Sequence, residues 1–204
     1  MTDSQGPATK ATAADTQFLC SLLRDLRIEV LPNVDLDKVN EAVPKGATLT
    51  VTSSPQHGVE GTLETALALR RAGYRVVPHL AARAIRDRAQ LADLWRQYAA
   101  AGVDEVFIVG GDQEQPAGEF AASLDLVKAV VELDPRPQRV GITSYPEGHP
   151  YIPADVLERD LLAKQPYAQY AVTNLVFDPE VFVHWLNTMR ARGFTLPIYI
   201  GLPG

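Results

Sequence analysis

The sequence predicts a parallel α/β fold, best matched by a (β/α)8 barrel of the TIM type. Short β-branched runs alternate with helical segments, so that a new strand starts roughly every 20–35 residues. Polar or glycine-rich residues follow nearly every one of these strands, which places them at the same edge of the sheet. No GxGxxG turn follows the first strand, and this favours a barrel over an open doubly wound sheet.

Seven predicted strands, with helices between them, follow in order along the chain. Residues 1–14 contain little that could be buried and predict a disordered tail, followed by a lead-in helix over 16–24. The strands are predicted over 28–32, 48–52, 74–80, 104–109, 139–143, 170–175 and 196–201. The connecting helices are predicted over 35–43, 63–72, 91–101, 118–133, 155–164 and 179–192. Gly73, Gly102 and Gly193 end three of them, because glycine readily adopts the conformation of a helix C-cap.

Eight strands close a barrel of this type, which usually takes about 250 residues. Residues 15–204 therefore predict an incomplete barrel that lacks its last βα unit, and we expect the chain to be truncated at its C-terminus. Without that unit, two strand edges and some apolar surface would stay uncovered. The chain is accordingly expected to aggregate or to form homo-oligomers.

The composition is that of an ordinary globular domain, with 46% hydrophobic and 22% charged residues. Nineteen basic residues against twenty-five acidic ones, with no basic run, argue against a nucleic-acid or membrane surface. The single cysteine, Cys20, excludes an intrachain disulfide. The sequence contains neither an apolar stretch of about 18 residues nor the pattern of a signal peptide. We therefore expect a cytoplasmic protein that binds small molecules.

Glu29 is the charged residue of the first predicted strand, where Ile28, Val30 and Leu31 surround it in the sequence. Its side chain is either turned to solvent or buried for a functional reason, and the strand pattern leaves both options open. Burial would disfavour the ionised form and raise the pKa of the carboxyl group. A carboxyl group that keeps its proton in this way could act as a general acid.

The fourth predicted strand runs into Gly110, Gly111 and Asp112. Paired glycines allow a tight turn and a close approach of the backbone to a ligand, but two glycines alone are a weak signal. The arginine-rich run 83–88 is interpreted as a loop and the solvated start of a helix, although an arginine there could contact a phosphate.

The fifth predicted strand ends at a loop that carries Tyr145, Glu147 and His149 between two prolines. A ligand loop and a rigid surface turn are equally consistent with this pattern, because proline fixes the backbone in either case. The four histidines show no spacing typical of metal ligands, and we expect no metal site. They are His57, His79, His149 and His184.

The residues at the strand ends resemble those of the methylenetetrahydrofolate reductase family. The run 145–150, Tyr-Pro-Glu-Gly-His-Pro, is similar to a signature of that family. Further matches in order and spacing are Glu29 in Ile-Glu-Val-Leu-Pro, Thr52, Pro78-His79-Leu80, Gly111-Asp112, Thr173 with Phe177-Asp178, and Gly201. The chain most resembles an actinobacterial-type branch, from about residue 27 to its end.

The resemblance implies a role for each matching residue. Glu29 matches the general acid that protonates N10 of methylenetetrahydrofolate, which opens the ring to an iminium. Asp112 matches the aspartate beside flavin and pterin, where a negative charge favours the cationic iminium. The positions that would hold FAD are Thr52, His79, Gly110, Gly111, Asp112, Tyr145, His149 and Lys164. NAD(P)H would supply the hydride, and the folate would also contact Glu29, Asp112 and Asn174.

Two substitutions depart from the family pattern. Many members have Arg where Gly110 stands, and its absence removes a charge-assisted contact to the flavin, so we expect FAD to be held weakly. The glutamine that hydrogen-bonds the pterin is replaced by Asn174, which offers the same amide one methylene shorter. Two hypotheses follow: a methylenetetrahydrofolate reductase, or a non-catalytic barrel fragment that binds folate or a nucleotide.

Overall fold

The computed structural model describes residues 12–24 and 26–203 of the chain. Seven strands are present: β1 (Arg27–Val30), β2 (Thr48–Val51), β3 (Arg75–Ala81), β4 (Glu105–Val109), β5 (Arg139–Ser144), β6 (Tyr170–Leu175) and β7 (Ile198–Gly201). The α-helices are α1 (Ala13–Arg24), α2 (Leu36–Ala42), α3 (Gly58–Arg71), α4 (Arg88–Ala100), α5 (Ser123–Val130), α6 (Ala154–Lys164) and α7 (Pro179–Ala191). Short 3₁₀ turns at Ala82–Ala84 and Gln165–Tyr167 follow β3 and α6.

All seven strands pair in parallel with their sequence neighbours, in the order β1 to β7. Each parallel step needs a crossover, and a helix provides one between each consecutive pair of strands. This arrangement confirms the predicted partial (β/α)8 barrel with seven strands. All seven predicted strands are present, with boundaries that differ by one or two residues.

Strand residues alternate between two apolar clusters on opposite faces of the sheet. Leu49, Val106 and Ile142 belong to the large cluster between the strands and the helices. Val77 and Phe107 belong to a smaller cluster on the opposite face, inside the barrel. Helices therefore cover one face of the sheet while the other encloses a narrow interior, and the functional side chains project from that interior.

Charged residues fill the base of the barrel interior. Arg27 on β1 donates to Glu105 on β4 at 2.6 Å and to the Tyr170 hydroxyl on β6 at 3.1 Å. The Arg27 guanidinium also lies 4.4 Å from the ring centre of Tyr199 on β7. In a flat sheet, β1 and β7 would lie roughly 29 Å apart, since strands are spaced by about 4.8 Å. The contact between Arg27 and Tyr199 therefore shows that the sheet is curled.

Four helix predictions were wrong at their N-terminal ends. Two of these helices, α3 and α4, begin five and three residues before their predicted starts, at Gly58 and Arg88. The first helix begins at Ala13, so it includes the last two residues assigned to the tail, and residues 1–11 lie outside the described part of the chain. The helix predicted over 118–133 is confined to Ser123–Val130. Gly118 lies outside it because both neighbouring residues bond to another segment: the Ala117 N–H donates to the Arg83 carbonyl oxygen at 2.9 Å and the Glu119 N–H to that of Arg86 at 2.8 Å.

Large apolar side chains are exposed near the two outer strands. Ile28 on β1, Ile200 on β7 and Phe18 on α1 are among them. Apolar surface is therefore uncovered at both β1 and β7, as expected. Aggregation or oligomer formation stays a prediction. Within the described ranges, no helix has the length and apolar character required to cross a membrane.

We predict that Gly141→Ala destabilises the barrel. A Cβ at Gly141 would lie 2.3–2.5 Å from ring atoms of Tyr170, which Arg27 holds in place, so the ring or the strand must move. Overpacking of this kind typically costs about 1–3 kcal/mol in the free energy of unfolding, which denaturant titration would measure. Gly110→Ala is the matched control, because nothing lies within 4 Å of its added Cβ. Equal stability of the two variants would contradict the prediction.

Candidate active site

The residues proposed from the sequence converge on one rim of the barrel, at the carboxyl ends of the strands. Thr52 directly follows β2, and Asp112 lies in the loop after β4. Tyr145 directly follows β5, and Asn174 lies near the end of β6. Parallel pairing brings all these ends to the same side, which is where barrels of this class bind ligands.

Glu29 and His79 face each other across the first three strands. Glu29 Oε2 lies 3.9 Å from His79 Nε2, and His79 packs against Phe107 with ring centres 4.8 Å apart. The Glu29 side chain is 66% exposed, whereas that of His79 is only 10% exposed. Glu29 therefore lies between the two options left by the sequence: it faces the interior, yet solvent reaches it. Its neighbour is a histidine from another strand.

Burial affects the pKa values of these two groups in opposite directions. Partial desolvation raises the pKa of the Glu29 carboxyl, so its proton is held more tightly than that of a free glutamate. Burial lowers the pKa of His79 to about 4, so the imidazole is neutral near pH 7. A cationic imidazole at 3.9 Å would lower the pKa of Glu29. A neutral His79 therefore does not oppose the upward shift in the pKa of Glu29.

Tyr145 lies close enough to two acidic groups for their charges to affect its hydroxyl group. Burial raises the pKa of the Tyr145 hydroxyl, a hydrogen bond with Thr143 opposes this rise, and the negative charges of Asp112 and Asp160 add to it. Its ring contacts that of His149 edge to face, with centres 5.4 Å apart. Tyr145 and His149 thus form one aromatic wall near Asp112, as expected for groups that hold a planar ligand.

Lys164 is almost completely buried, and protein groups already contact its amine. Lys164 Nζ lies 2.6 Å from Asp160 and donates to Ser123 Oγ at 3.2 Å. Burial lowers the pKa of the amine, while Asp160 opposes this shift. The role of Lys164 in cofactor binding stays a prediction. Such a role would require its amine to contact the cofactor as well as Asp160.

Polar side-chain atoms after β2 and β4 are available to a ligand. Gly111 adopts φ +94°, and an added Cβ would lie 3.1 Å from the Cβ of Ala81, so glycine is required there. Within the described residues, Thr52 Oγ1 and Gln113 Oε1 are buried without a hydrogen-bond partner. Unpartnered polar atoms at a strand-end rim are consistent with a ligand that completes their hydrogen bonds. The residues present therefore fit a bound cofactor.

Arg83 organises this loop, a role that the sequence did not predict. Its guanidinium donates to the carbonyl oxygens of Gln113, Glu114 and Ala121, and its backbone N–H donates to that of Gly110. The sequence pattern indicates a solvated segment or a phosphate contact for this arginine, whereas in the structure its guanidinium holds the β4–α5 loop. A contact between residues about 30 positions apart leaves no periodic signal in a sequence.

Asn174 lies in a bulge at the end of β6. Val172 pairs with Tyr199 and Leu175 with Gly201, so three steps along β6 match two along β7. Thr173 Oγ1 accepts a hydrogen bond from the Gly201 N–H at 2.8 Å and replaces a lost backbone contact. Bulges are common next to active sites, and Asn174 lies within this one, near the carboxyl end of β6.

Comparison with known proteins identifies the family of the chain. The family model described as methylenetetrahydrofolate reductase matches residues 29–203. The chain belongs to the methylenetetrahydrofolate reductase family. Methylenetetrahydrofolate reductase 2 of Saccharomyces cerevisiae is 27% identical over 112 residues, which are 50% of this chain and 19% of that protein. Methylenetetrahydrofolate reductase 1 of Schizosaccharomyces pombe is 31% identical over 67 residues, 31% of this chain and 11% of that protein.

Solved structures show the same fold at low sequence identity. A 2,3-dimethylmalate lyase has a TM-score of 0.62 at 14% identity, covering 87% of this chain and 67% of that one. An oxaloacetate acetylhydrolase has a TM-score of 0.61 at 11% identity, covering 85% and 65%. These likenesses concern the fold alone. The chain spans under a fifth of the length of the fungal family members, so the activity of a whole reductase is a matter for proposal.

Proposed function

We propose that the chain reduces 5,10-methylenetetrahydrofolate to 5-methyltetrahydrofolate, with NAD(P)H as the hydride donor. The observation that carries this proposal is the Glu29 carboxyl group, which lies at the rim with a raised pKa beside a neutral His79. A module that only binds folate has no need of an acid at this position. Membership of the reductase family supplies the reaction class.

Glu29 would give its proton to N10 of the folate, so that the five-membered ring opens to an iminium cation. Solvent reaches the side chain, which allows the group to be protonated again after each turnover. Asp112 lies in the loop across the rim, close enough to Tyr145 to raise the pKa of its hydroxyl. Its negative charge would stabilise the cation that forms, since fixed charges act strongly in a partly desolvated site.

Asn174 would orient the pterin through its side-chain amide. Asn174 Oδ1 already accepts a hydrogen bond from the Leu175 N–H at 2.8 Å, which leaves the amide NH2 group to donate to the substrate. The bulge in β6 would adjust the reach of this shorter side chain. The partner of the site is therefore a small molecule with a polar heterocycle.

FAD is the cofactor that the site residues would hold. Thr52 Oγ1 is available to a ligand, and His79, Tyr145 and His149 line the rim beside it. Bound FAD would supply a hydride relay from NAD(P)H to the folate. Gly110 provides no guanidinium, and the Lys164 amine is paired with Asp160, so we propose weak retention of the flavin.

The second candidate function is a barrel that binds folate or a nucleotide without catalysis. The same two observations favour it, because a missing cation at Gly110 and a paired Lys164 both weaken flavin binding. The carboxyl group of Glu29 supports the catalytic candidate over the second one, since only catalysis requires its proton.

Glu29→Gln is predicted to lower folate reduction by about 10²–10⁴-fold, the range typical of a lost general acid. The amide keeps the shape and hydrogen bonding of the carboxyl group but cannot donate the proton. With FAD added, oxidation of NAD(P)H by an artificial acceptor should be far less affected, because that half-reaction requires no proton at N10. Both half-reactions are followed spectrophotometrically, with Glu41→Gln on α2 as the charge-matched control.

An equal loss in both half-reactions would show that Glu29 is structural. Undiminished folate reduction would show that another group supplies the proton, and absence of folate reduction in the wild-type chain would favour the non-catalytic candidate.

Gly110→Arg is predicted to raise flavin affinity by about tenfold or more, because a charge-assisted hydrogen bond contributes roughly 1.5–3 kcal/mol. Nothing lies within 4 Å of a Cβ at Gly110, and its backbone φ is not positive, so the side chain can be accommodated. Fluorescence quenching of FAD measures the dissociation constant, and Gly110→Gln is the uncharged control. Equal affinity in both variants would argue against a flavin site at this loop.

A further inference from the structure

The tight turn after β5 directs one carboxylate away from the predicted cofactor residues. The Gly148 N–H donates to the Tyr145 carbonyl oxygen at 3.1 Å, which closes a turn with Pro146 and Glu147 at its centre. Gly148 adopts φ +84°, a conformation that favours glycine. Tyr145 and His149 contact each other on either side of this turn. Glu147 lies between these two residues in the sequence, and it takes no part in the proposed reaction.

Glu147 binds the loop that follows β6. Its Oε1 accepts hydrogen bonds from the backbone N–H groups of Phe177 at 2.6 Å and Asp178 at 2.7 Å. One carboxylate oxygen therefore holds two consecutive N–H groups about 30 residues further along the chain. Hydrogen bonds to an ionised acceptor are shorter and stronger than neutral ones, and these distances agree with that description.

The same segment is fixed on its other side by the start of α7. Asp178 Oδ1 accepts from the N–H groups of Glu180 at 2.8 Å and Val181 at 3.3 Å, which caps the helix. Pro179 between them has no N–H group to satisfy. Glu147 and Asp178 together bind four successive backbone donors at the N-terminus of α7, where negative charge is favourable.

Asn174 lies three residues before Phe177, the first residue that Glu147 binds. The bulge in β6 holds the chain at Thr173, and the Val176 N–H donates to the Gly201 carbonyl oxygen at 2.9 Å. From Phe177 onward, Glu147 provides the contact from the β5–α6 loop. Without Glu147, the β6–α7 loop would keep its contacts to β7 but would lose its connection to the loop that carries Tyr145 and His149.

We propose that Glu147 is a positioning residue that fixes the β6–α7 loop and thereby holds the Asn174 amide at the rim for the pterin of the folate. The inference rests on the proposed function, because it assigns Asn174 to the substrate. A shorter Asp at this position would withdraw the carboxylate by one methylene, whereas Gln keeps an oxygen at the same distance. Gln, however, carries no charge. Of these three residues, glutamate alone provides both the length and the negative charge.

Hydrogen exchange tests the contact directly in the full chain. In Glu147→Ala, the amides of Phe177 and Asp178 should exchange at least about tenfold faster than in the wild type, since the loss of a charge-assisted hydrogen bond frees them for local opening. Glu147→Gln should show an intermediate rate, because it retains a neutral acceptor. Glu180→Gln removes the same charge from the same helix end and should leave both rates unchanged.

Folate binding tests the positioning role. With 5-methyltetrahydrofolate as the probe, Glu147→Ala should raise the dissociation constant by about tenfold, and Glu147→Gln should restore most of the affinity. FAD binding should change by less than about threefold in both variants. If Glu147 were needed only for general stability, its loss would weaken the binding of folate and of FAD alike. If the alanine variant does not fold, Glu147→Asp takes its place with Glu180→Asp as the control, because the shorter side chain withdraws the carboxylate from Phe177 and Asp178 and should weaken folate binding in the same way.

Three results would overturn the proposal: unchanged exchange at Phe177 and Asp178, faster exchange with unchanged folate affinity, or an equal loss of folate and FAD affinity. If the wild-type chain binds folate without reducing it, only the proposed catalysis fails, and the comparison of Glu147 variants still decides the positioning role. A wild-type chain that binds no folate would overturn both.

Discussion

The buried ion pair between Arg27 and Glu105 connects the first strand to the centre of the barrel, and the shape of the interior depends on it. The two groups lie 2.6 Å apart, with side chains 10% and 3% exposed. Charges removed from water in this way require partners, and Tyr170 and Arg139 supply them. Removal of one member of such a pair typically costs about 3–5 kcal/mol, because the other charge stays buried and unpaired.

The base of the barrel determines what lies at the rim. Glu29 is two residues beyond Arg27 on the same face of β1, about 6.6 Å higher along the strand. Because Arg27 holds β1 against the interior, Glu29 faces His79 across the rim. Gly141 contributes by leaving room for the Tyr170 ring, which an alanine Cβ would overlap. A polar base thus supports a rim where partial desolvation raises the pKa of one carboxyl group.

The sequence predicted the strands and the strand-end residues, because alternation, glycine stops and β-branched runs are local signals. It did not predict contacts between distant residues, such as that of Arg83 with the β4–α5 loop or that of Glu147 with the start of α7. The same local signal, a glutamate within an apolar strand, occurs at both Glu29 and Glu105. Its position separates them: Glu105 begins β4, at the base, whereas Glu29 lies further along β1, towards the rim.

The helix prediction over 118–133 was wrong in its extent, again because of a contact between distant residues. Its residues are compatible with a helix, but the backbone of Gly118 is held against Arg86 by a tertiary contact. The substitution of Gly110 was visible in the sequence, whereas the pairing of Lys164 with Asp160 required the structure. Both features act in the same direction, because each removes a cationic contact that would stabilise a bound flavin.

Titration of the Glu29 carboxyl group tests the central claim most directly. Carbon-13 NMR of the glutamate-labelled chain gives its pKa, and the signal is assigned by its absence in Glu29→Gln. The account predicts a pKa above the ordinary glutamate value of about 4.3, because the group is partly desolvated beside a neutral His79. A pKa at or below that value would show that the site does not hold the proton more tightly than a free glutamate does, and would contradict the account.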